Sequence, residues 1–180
     1  MSNKYEDKQH AFRLAMMDEV SWCENREDAI HYSQSGSRDD WLWQMKKNPS
    51  GHLELPAALD CSSYWTYIVF KAMYEAIGDI DPRFDPSGYD WGAVGNSTSI
   101  GLHAKKKNLV IPLRDAKKGD GPVWMGEHVA LLVQRPGKKD LMLGAHLSSH
   151  GSEAGPYSVT LQASVAYQGV MPLIVKSWPL

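Results

Sequence analysis

Asp60-Cys61-Ser62-Ser63-Tyr64-Trp65-Thr66-Tyr67-Ile68-Val69-Phe70-Lys71-Ala72-Met73-Tyr74-Glu75-Ala76-Ile77-Gly78 is the most strongly patterned stretch of the chain. Positions 64, 65, 68, 69, 72, 73, 76 and 77 are apolar, and recurrence at this spacing is a helical stripe, not the alternation of a strand. The Asp/Ser cluster offers side-chain acceptors to the first free N–H groups, and Gly78 offers a left-handed stop. The stretch therefore predicts a buried helix with Cys61 at its N-terminus.

Upstream, Phe12, Ala15, Met16 and Val20 fall at helical spacing and predict a first helix over 4–23. Residues 30–55 are polar and dotted with Gly and Ser, with Trp41 and Trp43 alternating around Leu42, and read as a loop with one short helical turn. Downstream, 79–101 is rich in Pro, Gly, Asp and Ser and reads as a long ordered loop. Beyond Lys105 come short β runs at 109–113, 123–125, 128–134, 141–147, 157–161 and 170–176, separated by turns at 118–121 and 135–139. Helices first and antiparallel strands afterwards define an α+β fold, expected as one domain over 1–180. The lysine clusters at 105–107, 117–118 and 138–139 fall at strand ends and read as solvated turn residues.

Nineteen basic against 21 acidic side chains give the 180-residue chain a formal charge of −2, without the basic excess that phosphate neutralisation requires. The expected partners exclude nucleic acid. No apolar run approaches the roughly 18 to 20 residues of a membrane span, and the N-terminus shows no apolar signal-peptide core. The chain is expected to be made in a cytoplasm. Two cysteines, Cys23 and Cys61, are too few for a disulfide scaffold and read as two thiols with separate jobs. Most of the seven tryptophans and eight tyrosines read as packing residues, although such residues also line grooves for sugars or peptides.

A cysteine acts as a nucleophile through its thiolate, which the dipole and free N–H groups of a helix start favour. The same N–H groups can stabilise a tetrahedral oxyanion. Cys61 has that place and Cys23 does not. A nucleophile needs a base, and the base an orienting partner. His128 opens the run His-Val-Ala-Leu-Leu-Val, and the following run, 141–147, returns antiparallel. Turn symmetry about Gly137 sets His146 opposite His128 and leaves His150 just beyond. A histidine in third place accepts the ring N–H of the base and fixes its tautomer.

Asp60-Cys61-Ser62-Ser63 before an aromatic-aliphatic helix resembles the Asp-Cys-Ser-Gly nucleophile motif of the NlpC-type cell-wall cysteine peptidases, papain-like enzymes that cleave peptidoglycan stem peptides. Lys118-Gly119-Asp120 followed by Glu127-His128-Val129-Ala130 resembles the family's Gly-Asp segment and general-base histidine. Ser149-His150-Gly151-Ser152-Glu153 resembles the third-triad segment of actinobacteriophage endolysin catalytic domains, and Ala29-Ile30-His31-Tyr32-Ser33, with Arg38 nearby, resembles their upstream Tyr segment. The chain departs from the pattern at Ser63, where Gly is usual, at Pro122, which interrupts the strand after Gly119-Asp120, and at Ser35-Gly36, where Gly-Gly commonly follows the Tyr.

The resemblance implies a papain-like fold and a bacteriolytic hydrolase that cuts an amide of peptidoglycan with Cys61 as nucleophile and His128 as base. His150, or alternatively His146, would be the orienting group. Asp60 and Tyr32 would line the substrate groove, and Ser62 would add a hydrogen bond near the nucleophile; the other reading of Asp60 and Ser62 is that they only cap the helix. No metal or cofactor is expected. The partners implied are peptidoglycan and further lysin modules, with action on the wall after release from the host cytoplasm. Three other readings stand beside it: an interbacterial toxin of the same family with an immunity partner, a zinc-dependent amidase drawing on the seven histidines, and a wall-binding module with an inert cysteine.

Overall fold

The structure, a computed structural model, describes residues 4–79, 94–133, 141–147, 153–160 and 169–178, with the backbone alone at 141–147 and 153–160. The first helix, α1 (Lys4–Glu24), runs where predicted and buries Phe12, Met16, Val20 and Cys23 on one face. It packs on α3 (Cys61–Ile77), the central element. Asp60 caps α3 by accepting from the Ser63 N–H at 2.7 Å, and Gly78 ends it at φ 82. Residues 61–73 are all buried, so the predicted stripe extends around the whole first part of the helix. Two ionisable side chains enter this core with partners, as burial demands. Glu19 accepts from the Tyr67 hydroxyl and meets His52 Nδ1 at 2.8 Å. Lys71 donates to the Ser50 carbonyl at 2.9 Å and pairs with Glu75 at 2.7 Å.

The segment 30–55 is more ordered than a loop. It holds strand β1 (Ile30–Tyr32), a 3-10 turn at Gly36–Asp39 and an eight-residue helix, α2 (Asp40–Lys47). The Trp-Leu-Trp alternation misleads because α2 buries Trp41, Leu42 and Met45 at i, i+1 and i+4 and leaves Trp43 outside under Lys46. Asp40 in its first turn and Lys46 and Lys47 in its last complement the helix dipole. Trp41 Nε1 donates to Ser63 Oγ at 2.8 Å, so the residue that departs from the family motif ties α2 to α3. Strand β2 (Ala57–Leu59) pairs in parallel with β1, Tyr32 opposite Leu59. Because Leu59 immediately precedes Asp60, this pairing sets Tyr32 beside the start of α3.

The predicted loop over 79–101 also ends early. Helix α4 (Ser97–Lys106) starts behind a reciprocal cap between Asn96 and Ser99; residues 80–93 lie outside the described residues. The β runs are confirmed in order but are shorter or shifted at most positions: β3 (Val110–Ile111), β4 (Gly121–Trp124), β5 (His128–Val129), β6 (Leu131–Val133), β7 (Leu141–Leu147), β8 (Glu153–Thr160) and β9 (Leu173–Val175). They form two antiparallel sheets, β3-β9-β4-β5 and β6-β7-β8.

The predicted strand 128–134 breaks at Ala130, and Pro122 supplies the reason. The Ala130 N–H donates to the Pro122 carbonyl at 3.0 Å, but proline has no N–H to return the bond. Pro122 therefore sits inside β4 and interrupts the ladder beside it. Gly121 is needed for a different reason: a Cβ there would lie 2.6 Å from Trp65 Nε1. Asp120, buried, accepts from the Lys117 N–H at 2.8 Å and the Ser177 N–H at 3.1 Å, which joins β4 to the segment after β9. Lysines 105–107, 117 and 118 are exposed as expected, but Lys105 and Lys106 belong to the last turn of α4 and not to a strand-end turn; 138–139 and the turn at 135–139 lie outside the described residues. The architecture is α+β, with α3 at its centre.

Candidate active site

Cys61 is the first residue of α3 and lines a cleft of about 390 Å³ between the starts of α3 and α4 and the turn before β5. The backbone N–H groups of Val129 in β5, of Ser62 and of Cys61 itself lie within electrostatic reach of the sulfur. Backbone donors favour the thiolate, but burial dominates and, with the Asp60 charge next, pushes the Cys61 thiol up to about 11. The resting residue at neutral pH is the thiol.

His128 precedes Val129, so the strand that brings an N–H to the sulfur also carries the imidazole. Its backbone pairs with Trp124, whose ring lies 6.0 Å from the imidazole by centroids. Trp124 is itself fixed by Nε1 donating to the Val170 carbonyl at 3.0 Å. Burial in this apolar setting pushes His128 down to about 4, so its ring is neutral across the physiological range.

Tyr32, on β1, is buried with its hydroxyl accepting from Gln34 Nε2 at 3.0 Å. Its phenol is pushed up by burial and then by the neighbouring Cys61, which places it by the sulfur. Asp60 has both carboxylate oxygens engaged: Oδ1 accepts from Ser62 Oγ at 2.9 Å and from the Ser63 N–H, and Oδ2 meets Arg38 Nε at 2.9 Å. Asp60 and Ser62 thus serve the first turn of α3 while lining the cleft.

Tyr32, Asp60, Cys61, Ser62 and the His128 strand come together around one sulfur. His146 falls in β7 at a register irregularity between Ala145 and Leu147. The β6–β7 pairing, Leu131 opposite Leu143 through Val133 opposite Leu141, has the predicted symmetry about position 137. It stops before reaching His128, which pairs with Trp124 instead. His150 lies outside the described residues.

No protein-family model, curated protein or solved structure matches the chain.

Sequence reading missed one wall of the cleft. Asn96, Ser97 and Thr98 at the start of α4, together with Leu102, line it opposite Cys61. The available signal was the Asn96-x-x-Ser99 cap, hidden by the Ser- and Gly-rich composition around it. A second hollow, of about 280 Å³, between α2 and β2 contains neither Cys61 nor His128. Among the described residues, no group of three His, Cys, Asp or Glu side chains is placed to hold a metal ion, and no helix is long and apolar enough to cross a membrane. Cys23 and Cys61 are both free thiols.

Proposed function

We propose that the chain is a cysteine-dependent amide hydrolase of the papain-like NlpC type, acting on the stem peptides of peptidoglycan as a phage endolysin does. The observation that carries the chemistry is the convergence on one sulfur of a helix start, the Val129 N–H and the strand bearing His128. The substrate class rests on the motif resemblance around Cys61, His128 and His150.

Because burial holds Cys61 as a thiol and His128 as a neutral imidazole, the resting pair is uncharged. As a substrate carbonyl enters, His128 takes the thiol proton and the sulfur attacks the carbonyl carbon. Backbone N–H groups at the start of α3 stabilise the oxyanion. His128 returns the proton to the leaving amine, and a water deprotonated by His128 then releases the acyl group from sulfur. His150, or alternatively His146, orients the imidazole. Tyr32, Asp60 and Ser62 shape the groove beside the scissile bond. Action is on the bacterial wall after release from the cytoplasm.

The test is digestion of purified peptidoglycan by the wild-type chain and by Cys61→Ala, with products read by mass spectrometry. Soluble muropeptides from the wild type alone are expected, and their masses name the bond. Equal release by both proteins would sink the cysteine mechanism; release by neither would sink peptidoglycan as the substrate.

A further inference from the structure

Arg38 reaches the start of α3 from the 3-10 turn at Gly36–Asp39, with its side chain only 16% exposed. Its Nε lies 2.9 Å from Asp60 Oδ2, a Coulombic pair and not a directed hydrogen bond. Its Nη2 donates to the Gly95 carbonyl and, at 3.5 Å, to Ser62 Oγ. Its own carbonyl accepts the Ser63 hydroxyl. One residue therefore holds the turn that carries Cys61 and the segment that leads into α4, which are the two walls of the cleft.

We propose that Arg38 is the positioning residue of the Cys61 nucleophile: its charge offsets that of Asp60 beside the sulfur, and its guanidinium locks the two cleft walls together. The physical argument is direct. A carboxylate one residue from a cysteine disfavours the thiolate, and a cation paired with that carboxylate restores it. Asp60 is too buried for solvent to do the same work. The other ionisable groups near this turn are Tyr32 on β1, Glu127 in the turn before β5 with His128 next to it, and Asp39, whose Oδ1 lies 3.6 Å from Arg38 Nε; among the described residues Arg38 is the cation that meets Asp60. A guanidinium suits the task because it stays charged at any working pH and reaches several acceptors at once.

The proposal rests on the reading above only in taking Cys61 as the nucleophile, and its test reads the thiol itself, without any wall substrate. Iodoacetamide alkylation of Cys61 is followed against pH by mass spectrometry, with melting curves to establish that each variant is folded. Arg38→Gln is expected to slow alkylation about tenfold below the midpoint of the profile, equivalent to an upward shift of about one pH unit. Arg38→Lys, which keeps the charge, is expected to recover most of that loss. In an Asp60→Asn background, which keeps a capping acceptor, Arg38→Gln is expected to have no further effect. Asp60→Asn alone, which removes the carboxylate beside the sulfur and leaves Arg38 with Asp39 as its partner, is expected to alkylate faster than wild type, and this holds as a test even if Arg38→Gln fails to fold. An unchanged rate in Arg38→Gln, an equal slowing in both backgrounds, or slower alkylation in Asp60→Asn would each overturn the proposal. Loss of peptidoglycan cleavage with these alkylation results intact would instead count against the substrate.

Discussion

Cys23 and Cys61 are both free, both buried and both pushed upward by desolvation, yet their surroundings prepare them for different work. Cys23 sits on α1 in the α1–α3 core, faced by the Glu19 charge, with no exposed surface at all. Cys61 is 6% exposed, at a helix start, with backbone N–H groups favouring its thiolate and an open cleft beyond. Burial alone does not separate a structural thiol from a working one. A carboxylate charge acts on both sulfurs, Glu19 on Cys23 and Asp60 on Cys61; the separation comes from the backbone donors and the cleft that Cys61 has in addition.

The hardest blow to that comparison is mutational. Cys61→Ala is expected to lower kcat/KM for peptidoglycan cleavage by on the order of 10⁴-fold or more, whereas Cys23→Ala keeps the wild-type rate. Comparable losses in both would erase the distinction. Next in size, iodoacetamide should label Cys61 on the order of 10³-fold faster than Cys23 in the folded protein, because Cys23 reacts only when α1 and α3 separate. Peptide mapping after timed quenching reads this ratio, and equal labelling would break the argument.

The pH dependence of the Cys61 region follows from His128. Its folded value of about 4 lies below the ordinary 6.5, so the unfolded chain binds the extra proton first as pH falls. The stability involved is fully present above pH 6.5 and is lost as pH falls from there towards about 4, by about 3 kcal/mol. Denaturant melts of wild type and His128→Gln across that window should differ by this slope; parallel curves would mean that the ring is solvated. For the same reason the acid limb of kcat/KM should fall near 4 and not near 6.5.

Smaller effects sharpen the contrast between polar and apolar support. Ser63→Gly introduces the glycine of the motif that this segment resembles but leaves buried Trp41 Nε1 without its acceptor, at an expected cost of about 2 kcal/mol. Cys23→Ala removes only a small apolar group and should cost about 1 kcal/mol. Thermal denaturation orders the two variants, and a reversed order would show that α2 docks without the Ser63 bridge.

Legibility in the sequence tracked the range of the interactions involved. Both long helices, the Gly78 stop and the 141–147 strand were readable because each depends on local spacing and caps. Helix α2 was not, since burying Trp41, Leu42 and Met45 requires a neighbouring helix that eight residues cannot announce. The break at Ala130 needed knowledge that Pro122 lies across from it. The place of Cys61 at a helix start and of His128 at a strand start was legible from local patterning. The Arg38–Asp60 pair and the α4 wall were not, because both depend on contacts between segments far apart in the chain.

The close approach of β4 to the Trp65 indole carries an evolutionary consequence. With only 2.6 Å between a would-be Cβ at position 121 and Trp65 Nε1, Gly121 is not free to drift while the indole is in place. Descendants of this chain should keep Gly121 wherever the indole persists. They should acquire a side chain at 121 only in lineages where position 65 has already shrunk, so the two columns of any future alignment should change together, in that order.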